Sequence, residues 1–251
     1  MSSREAGKNQ RRDDIVGAAR ALMQRTGDMG FSMRSLAEQA GVSIATPYNL
    51  FGSKQAILLA VLNDDLAEYQ QALDGLQADE IEALFEGIKL MSAMLAREPE
   101  FYRNVICAVS RDGPEFRYMV GGPRYLIWKR LLRQATQAGL LDSQVDPDAF
   151  AIASSQLIVA NVLEWAQGAL SLEEMTARNH YGLALVLRAI ATDASRAKLE
   201  TQMRSAEATL QQLWRQVLAE RLQRGELDAE TRELLADQLK YLNPTNDEET
   251  P

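Results

Sequence analysis

The chain has 251 residues, one cysteine and one histidine, and a formal charge of −8. A lone cysteine excludes an internal disulfide and a cysteine-built zinc site, and a lone histidine excludes a histidine-rich metal cage, so no metal or cofactor is expected. With 46% hydrophobic and 25% charged residues the composition is that of a globular protein, and the low Gly and Pro content favours helix. The amino terminus lacks the apolar core of a secretory signal, and the most apolar stretch, 149–163, is interrupted by Ser154, Ser155 and Gln156 and reads as too short to span a bilayer. A cytoplasmic protein without a membrane partner is expected.

Apolar residues recur at three- and four-residue spacing throughout, with no sustained period-two segment. Ile15, Ala18, Ala19 and Leu22 mark one face of a first helix ending near Gly27. Ser32 can cap a short second helix over 33–40, Ser43 a third over 44–51, and Ser53 a long fourth running through Ile57, Leu58, Val61, Leu62 and Leu66 toward Leu73. Further helices are predicted near 79–97, 99–110 and 114–138, the last broken or restarted at Gly121-Gly122-Pro123. Two more are predicted at 147–169, opened by Asp146-Pro147, and 172–192, capped by Ser171.

Charge is unevenly placed. Residues 1–55 carry eight basic against five acidic side chains, a net +3, which leaves −11 on the remainder. A basic head on an acidic body orients an encounter with a polyanion. Within that head lies TGDMGFSMRSLAEQAGVSIATPYNLFGSK, two short helices joined by Gly41-Val42-Ser43. Glycine permits the sharp turn, Val42 plugs the angle, and Leu36, Ala37 and Ala40 suit close packing on the first helix. The second short helix then presents Ser43, Ile44, Ala45, Thr46, Tyr48 and Asn49, a set whose short hydroxyl and amide side chains suit a major groove. Arg34 and Lys54 are candidate partners for phosphate.

These residues resemble the TetR-type transcriptional regulators. The resemblance rests on Ile15, Ala18-Ala19 and Leu22, Phe31-Ser32, Leu36-Ala37, Ala40-Gly41-Val42-Ser43, Tyr48-Asn49-Leu50-Phe51 and Ser53-Lys54, about 45 residues without a gap. A weaker likeness continues at AGLLDSQVDPDAF and the helix through Trp165. It implies phosphate contacts from Thr46, Tyr48 and Lys54 and groove contacts from the start of the third helix. Pro47 departs from the family pattern. With Ser43 as cap it falls at the fourth helical position and leaves the Ser43 carbonyl unpaired, which predicts a tightened or shifted helix start.

The chain reads as all-α, and the resemblance implies a three-helix helix-turn-helix domain (1–54) and a helical effector-binding and dimerisation domain (55–192); the family pattern ends near Thr192, and the residues beyond read as a helical extension with a disordered end (193–251). The expected partners are double-stranded DNA with a palindromic operator, a second copy of the chain, and a small, largely apolar effector that releases a repressor. The segment rich in methionine and aromatics supplies pocket candidates: Phe85, Met91, Met94, Phe101, Tyr102, Ile106, Tyr125, Trp128 and Trp165. Helices 147–169 and 172–192 are apolar on more than one face, and Leu157, Ile158, Tyr181, Ala184 and Leu187 are candidates for the dimer contact.

Two other functions are open to the sequence. Asp64, Asp65 and Glu68 have the spacing of a magnesium-binding motif on a helix face, which would make an all-α enzyme. The extension offers a second possibility. Leu199, Met203, Ala206, Leu210, Leu213 and Val217 form a short heptad seam, a further amphipathic helix is predicted at 228–242, and the last residues read as disordered. Such a tail can extend a dimer or recruit another protein. His180, in an apolar helix without Ser or Asp partners, reads as a core or interface histidine able to titrate near neutrality.

Overall fold

A computed structural model describes residues 3–26, 31–111 and 114–225 together with residue 233, without the side chains of 3–4, 26 and 114–120. Ten helices are present among the described residues: α1 (Ser3–Thr26), α2 (Met33–Gln39), α3 (Ala45–Phe51), α4 (Lys54–Asp74), α5 (Glu80–Arg97), α6 (Pro99–Arg111), α7 (Pro114–Gln137), α8 (Pro147–Ala166), α9 (Leu172–Ala189) and α10 (Asp193–Gln223). Apart from residue 233, the predicted helix at 228–242 and the chain end lie outside the described residues.

Side chains that can accept from orphan backbone N–H groups start half of these helices. Ser32, Ser53, Asp79, Asp146 and Ser171 each do so, and Asp79 and Glu82 form a reciprocal capping box. Two expectations fail. Helix α7 runs unbroken through Gly121-Gly122-Pro123. Proline removes only one N–H, and burial of Ile127, Trp128, Leu131, Leu132 and Ala135 just downstream holds the helix against the body. Helix α8 has 20 residues, longer than the 149–163 run, and is the one described helix long and apolar enough to cross a membrane. Its serine hydroxyls bond back to carbonyls, Ser154 to Phe150 at 2.8 Å and Ser155 to Ile152 at 2.9 Å, so they do not interrupt it. Just 28% of its most apolar window is buried, which leaves hydrocarbon facing outward.

Two apolar cores organise the chain. The first gathers Ile15, Ala19 and Leu22 of α1, Leu36 of α2, Ile57, Val61 and Leu62 of α4, Phe101 and Val105 of α6, Trp165 of α8 and Met175 of α9. The second joins Leu73, Phe85, Ile88, Trp128, Leu132, Ile158, Leu187 and Leu199, from α4 to α10. Helix α10 lies along α9, pinned by Arg188 to Glu200 at 2.8 Å and by Lys198 to Asp79 and Glu82 at the start of α5. Where α9 gives way to α10, Thr192 and Ser195 hydroxyls donate to the carbonyls of Gly139 and Leu140, tying the extension to the α7–α8 loop.

Candidate nucleic-acid interface

The turn between α2 and α3 is built as its sequence requires. Gly41 has φ +64°, the left-handed conformation that a side chain strains. Val42 N–H donates to the Ala37 carbonyl at 3.0 Å, closing the elbow. Helix α3 begins one residue later than expected, at Ala45, with Ile44 in the cap position. Pro47 is therefore the third helical residue, where its missing N–H would have had no partner in any case. The Ser43 carbonyl is not orphaned, since Thr46 N–H donates to it at 2.9 Å. The Ser43 and Thr46 hydroxyls bond each other at 2.9 Å instead of capping.

Ile44 and Tyr48 are each 51% exposed, an unusual position for large apolar groups, while Pro47 of the same helix is buried. Arg34, Ser43, Ala45 and Asn49 are exposed beside them, and Thr46 is half-buried. Lys54 opens α4 with its ammonium 4.6 Å from the Phe31 ring centroid, so the charge is held at the helix start. Sequence reasoning missed Arg12. It donates to the Leu50 carbonyl at 3.1 Å and stacks 4.2 Å from the Phe51 ring, clamping the end of α3 to α1. The signal was present, because Arg12 stands three residues before Ile15 on the same helical stripe.

Behind the head lies a polar junction that sequence reasoning also missed. Arg20 of α1 reaches Asp65 of α4 and Glu98 at the corner of α5 and α6, the latter at 2.6 Å, and lies 4.8 Å from the Phe101 ring. Asp65 is buried with Oδ2 unpartnered. Burial holds its carboxyl above the usual range against the opposing pull of Arg20. For Arg20, burial works against the charge, but Asp65, Tyr102 and Glu98 outweigh it, so the guanidinium stays charged. Burial also pushes the Tyr102 hydroxyl up to about 12. Arg97 meets Glu68 at 2.6 Å. Asp65 and Glu68 are thus each held by an arginine, and no group of three or more His, Cys, Asp or Glu among the described residues is arranged to hold a metal ion.

The pocket candidates lie in the cores. Phe85, Phe101, Tyr102, Trp128 and Trp165 are buried, with Met91, Met94, Ile106 and Tyr125 packed partly buried against them. Tyr102 lines a cavity of about 280 Å³ at the Arg20 junction. The larger cavity, about 550 Å³, is a groove between α5, α9 and α10 that none of the nine lines. Of the dimer candidates, Ile158, Ala184 and Leu187 are buried within the chain, Tyr181 is half-buried and Leu157 is 42% exposed. The apolar groups facing outward are Ile152, Leu157 and Val159 on α8 and Leu185 on α9.

Residues 15–61 match the family model described as bacterial regulatory proteins, tetR family. No curated protein matches the chain. Among solved structures, FadR of Thermus thermophilus, a TetR-family transcriptional repressor in complex with lauroyl-CoA, is 19% identical; the match covers 72% of this chain and 95% of that one, with a TM-score of 0.62. RolR in complex with resorcinol is 16% identical, covering 79% and 95%, with a TM-score of 0.59. FadR of Bacillus subtilis, in complex with stearoyl-CoA, is 19% identical, covering 70% and 98%, with a TM-score of 0.57. The amino-terminal head is therefore a TetR-family domain, and the chain shares the all-helical fold of TetR-type regulators.

Proposed function

We propose that the protein is a homodimeric, sequence-specific DNA-binding transcriptional regulator, a repressor released from a palindromic operator by a small, largely apolar effector. The observation that carries this reading is the exposed edge of α3, where Ile44, Tyr48 and Asn49 stand on a braced helix-turn-helix whose flank holds Lys54. In this reading 1–54 is the DNA-binding domain, 55–192 holds the effector and the dimer contact, 193–251 is an extension, and the protein acts in the cytoplasm. Tyr48, Thr46 and Lys54 contact phosphates, Asn49 and the residues from Ser43 to Ala45 face base edges, and Arg34 approaches the backbone.

Ile152, Leu157, Val159 and Leu185 supply the outward hydrocarbon through which two copies pair. A two-fold axis then sets the two α3 helices roughly 34 Å apart, the repeat of successive major grooves. An effector that binds the released state more tightly displaces α4, and the Arg20 bridge passes that displacement to α1. The solved relatives bind acyl-CoA thioesters or resorcinol, which supports an effector with a substantial apolar part. A second reading, an interaction module acting through the extension, draws on Trp214, 44% exposed on α10.

Fluorescence anisotropy with a palindromic duplex selected from random sequence, against a scrambled control across salt concentrations, tests the proposal. A regulator shows sequence preference and a steep salt slope. Lys54→Ala weakens binding to all sequences, and Asn49→Ala changes the preferred sequence. Equal, weak binding to both duplexes at low salt overturns the reading in favour of the interaction module.

A further inference from the structure

The face by which α1 enters the head core does not end where the core ends. Ile15, Ala18, Ala19 and Leu22 repeat at the spacing of one helical face, and all four are buried. The same register continued from Ile15 toward the amino terminus meets Arg12, Arg11 and Lys8, so that 8, 11, 12 and 15 stand at the i, i+3, i+4 and i+7 positions of that face. An apolar stripe thus becomes a basic one. Helix α1 continues regardless. Every residue from Glu5 to Asp14 is exposed, so these turns add nothing to either core.

Arg12 fixes where the basic face lies. Its guanidinium donates to the Leu50 carbonyl and stacks on Phe51, the last two residues of α3. Lys8 is one turn further out, about 10 Å along the helix axis from Ile15. The face therefore leaves the head beside the carboxyl end of the helix that exposes Ile44 and Tyr48. Neighbouring carboxylates do not consume it. Asp13 falls on the far side of α1 by register, and Asp14 accepts from Gln10 at 3.0 Å. No ion pair among the described residues involves Lys8 or Arg11.

We infer that Lys8 and Arg11 make a second contact with the DNA duplex, bonding phosphates that flank the major groove entered by α3. The inference rests on the regulator reading and adds to it a contact from α1, outside the two helices of the turn. Cations on a solvated helix face meet phosphate and not base edges, so the contact adds affinity without altering the preferred sequence.

Anisotropy of the full chain with the selected palindromic duplex across salt concentrations tests this. Lys8→Ala and Arg11→Ala are changes at exposed positions and leave the thermal melt in place. Each removes one phosphate contact per subunit, so each is expected to flatten the slope of log Kd against log salt by about 2 in a dimer. Each weakens the selected and the scrambled duplex by equal factors, and Lys8→Arg keeps the parent slope. Arg204→Ala takes the same charge from an exposed position on α10 and leaves the slope unchanged. Slopes no flatter than that of Arg204→Ala, or a loss confined to the selected duplex, overturn the inference and leave the regulator reading standing. A parent protein with neither sequence preference nor salt dependence overturns both.

Discussion

Arg20 on α1 donates to the buried carboxylate of Asp65 on α4, and this pair joins the head to the helix that leaves it. The arginine side chain is 25% exposed and the aspartate 7%, so the pair sits at the edge of the low-dielectric interior. Arg20→Ala strands Asp65, already short of one partner at Oδ2, and is expected to cost about 3 kcal/mol, the low end for a broken buried pair because Arg20 keeps some solvent. In a double-mutant cycle with Asp65→Ala, the combined loss falls short of the sum of the single losses by about 1–3 kcal/mol. Urea denaturation of the four proteins checks this. Additive losses would mean that the two side chains act independently.

Two glycines in the head respond to alanine with opposite signs. At Gly41 a methyl group meets nothing within 4 Å, but φ is +64°, so the whole cost is backbone strain, about 1 kcal/mol or slightly more. Gly17 lies within α1, exposed and likewise unobstructed, with no such backbone angle, and Gly17→Ala is expected to stabilise by about 0.5–1 kcal/mol. Thermal melts of the two variants should move in opposite directions from the parent.

His180 gives the protein a signed response to pH. Burial and the charge of Lys89 lower its pKa from the ordinary 6.5, more than Glu86 and the Phe85 backbone raise it. The unfolded chain therefore takes up a proton near pH 6.5 that the folded chain refuses. The histidine's contribution to stability is complete above that pH and is lost progressively as pH falls toward the folded value. His180→Leu is expected to flatten the dependence of the urea midpoint in this window. A variant with the parent's slope would place its cause in the carboxylates.

The outward hydrocarbon of α8 is tested by charge. Ile152 and Val159 are 55% and 57% exposed, so arginine at either position disturbs no packing within the chain. Ile152→Arg and Val159→Arg are expected to leave the melting of the monomer near the parent value, to halve the mass found by light scattering, and to weaken duplex binding by at least tenfold. Unchanged mass in both variants would move the contact away from α8.

Much of this fold was legible in one sequence, because its signals are local. Ser32, Ser53, Asp146 and Ser171 announce helix starts through side chains that act within three residues, and the stripe Ile15, Ala18, Ala19, Leu22 fixes the buried face of α1. What escaped was contact between distant residues. Arg12 finds Leu50 across 38 positions and Arg20 finds Glu98 across 78, and no periodicity encodes such partners. The same blindness covers the large apolar residues between 85 and 128. Phe85 and Trp128 look alike whether they line a cavity or fill a core, and their partners on other helices decide which. Pro47 was misplaced for a simpler reason: a shift of one residue in the cap turns a helix breaker into a tolerated first-turn proline.

The apolar continuum that links Ile15 and Leu36 with Phe101 and Trp165 bears on how this molecule can be dissected. An excised fragment ending at the start of α4 would leave behind α4 and α6, which pack on α1, and would expose bare hydrocarbon to water. Transplanting the head onto a foreign body thus means carrying those matching surfaces along, and chimeras designed at a helix boundary alone should aggregate.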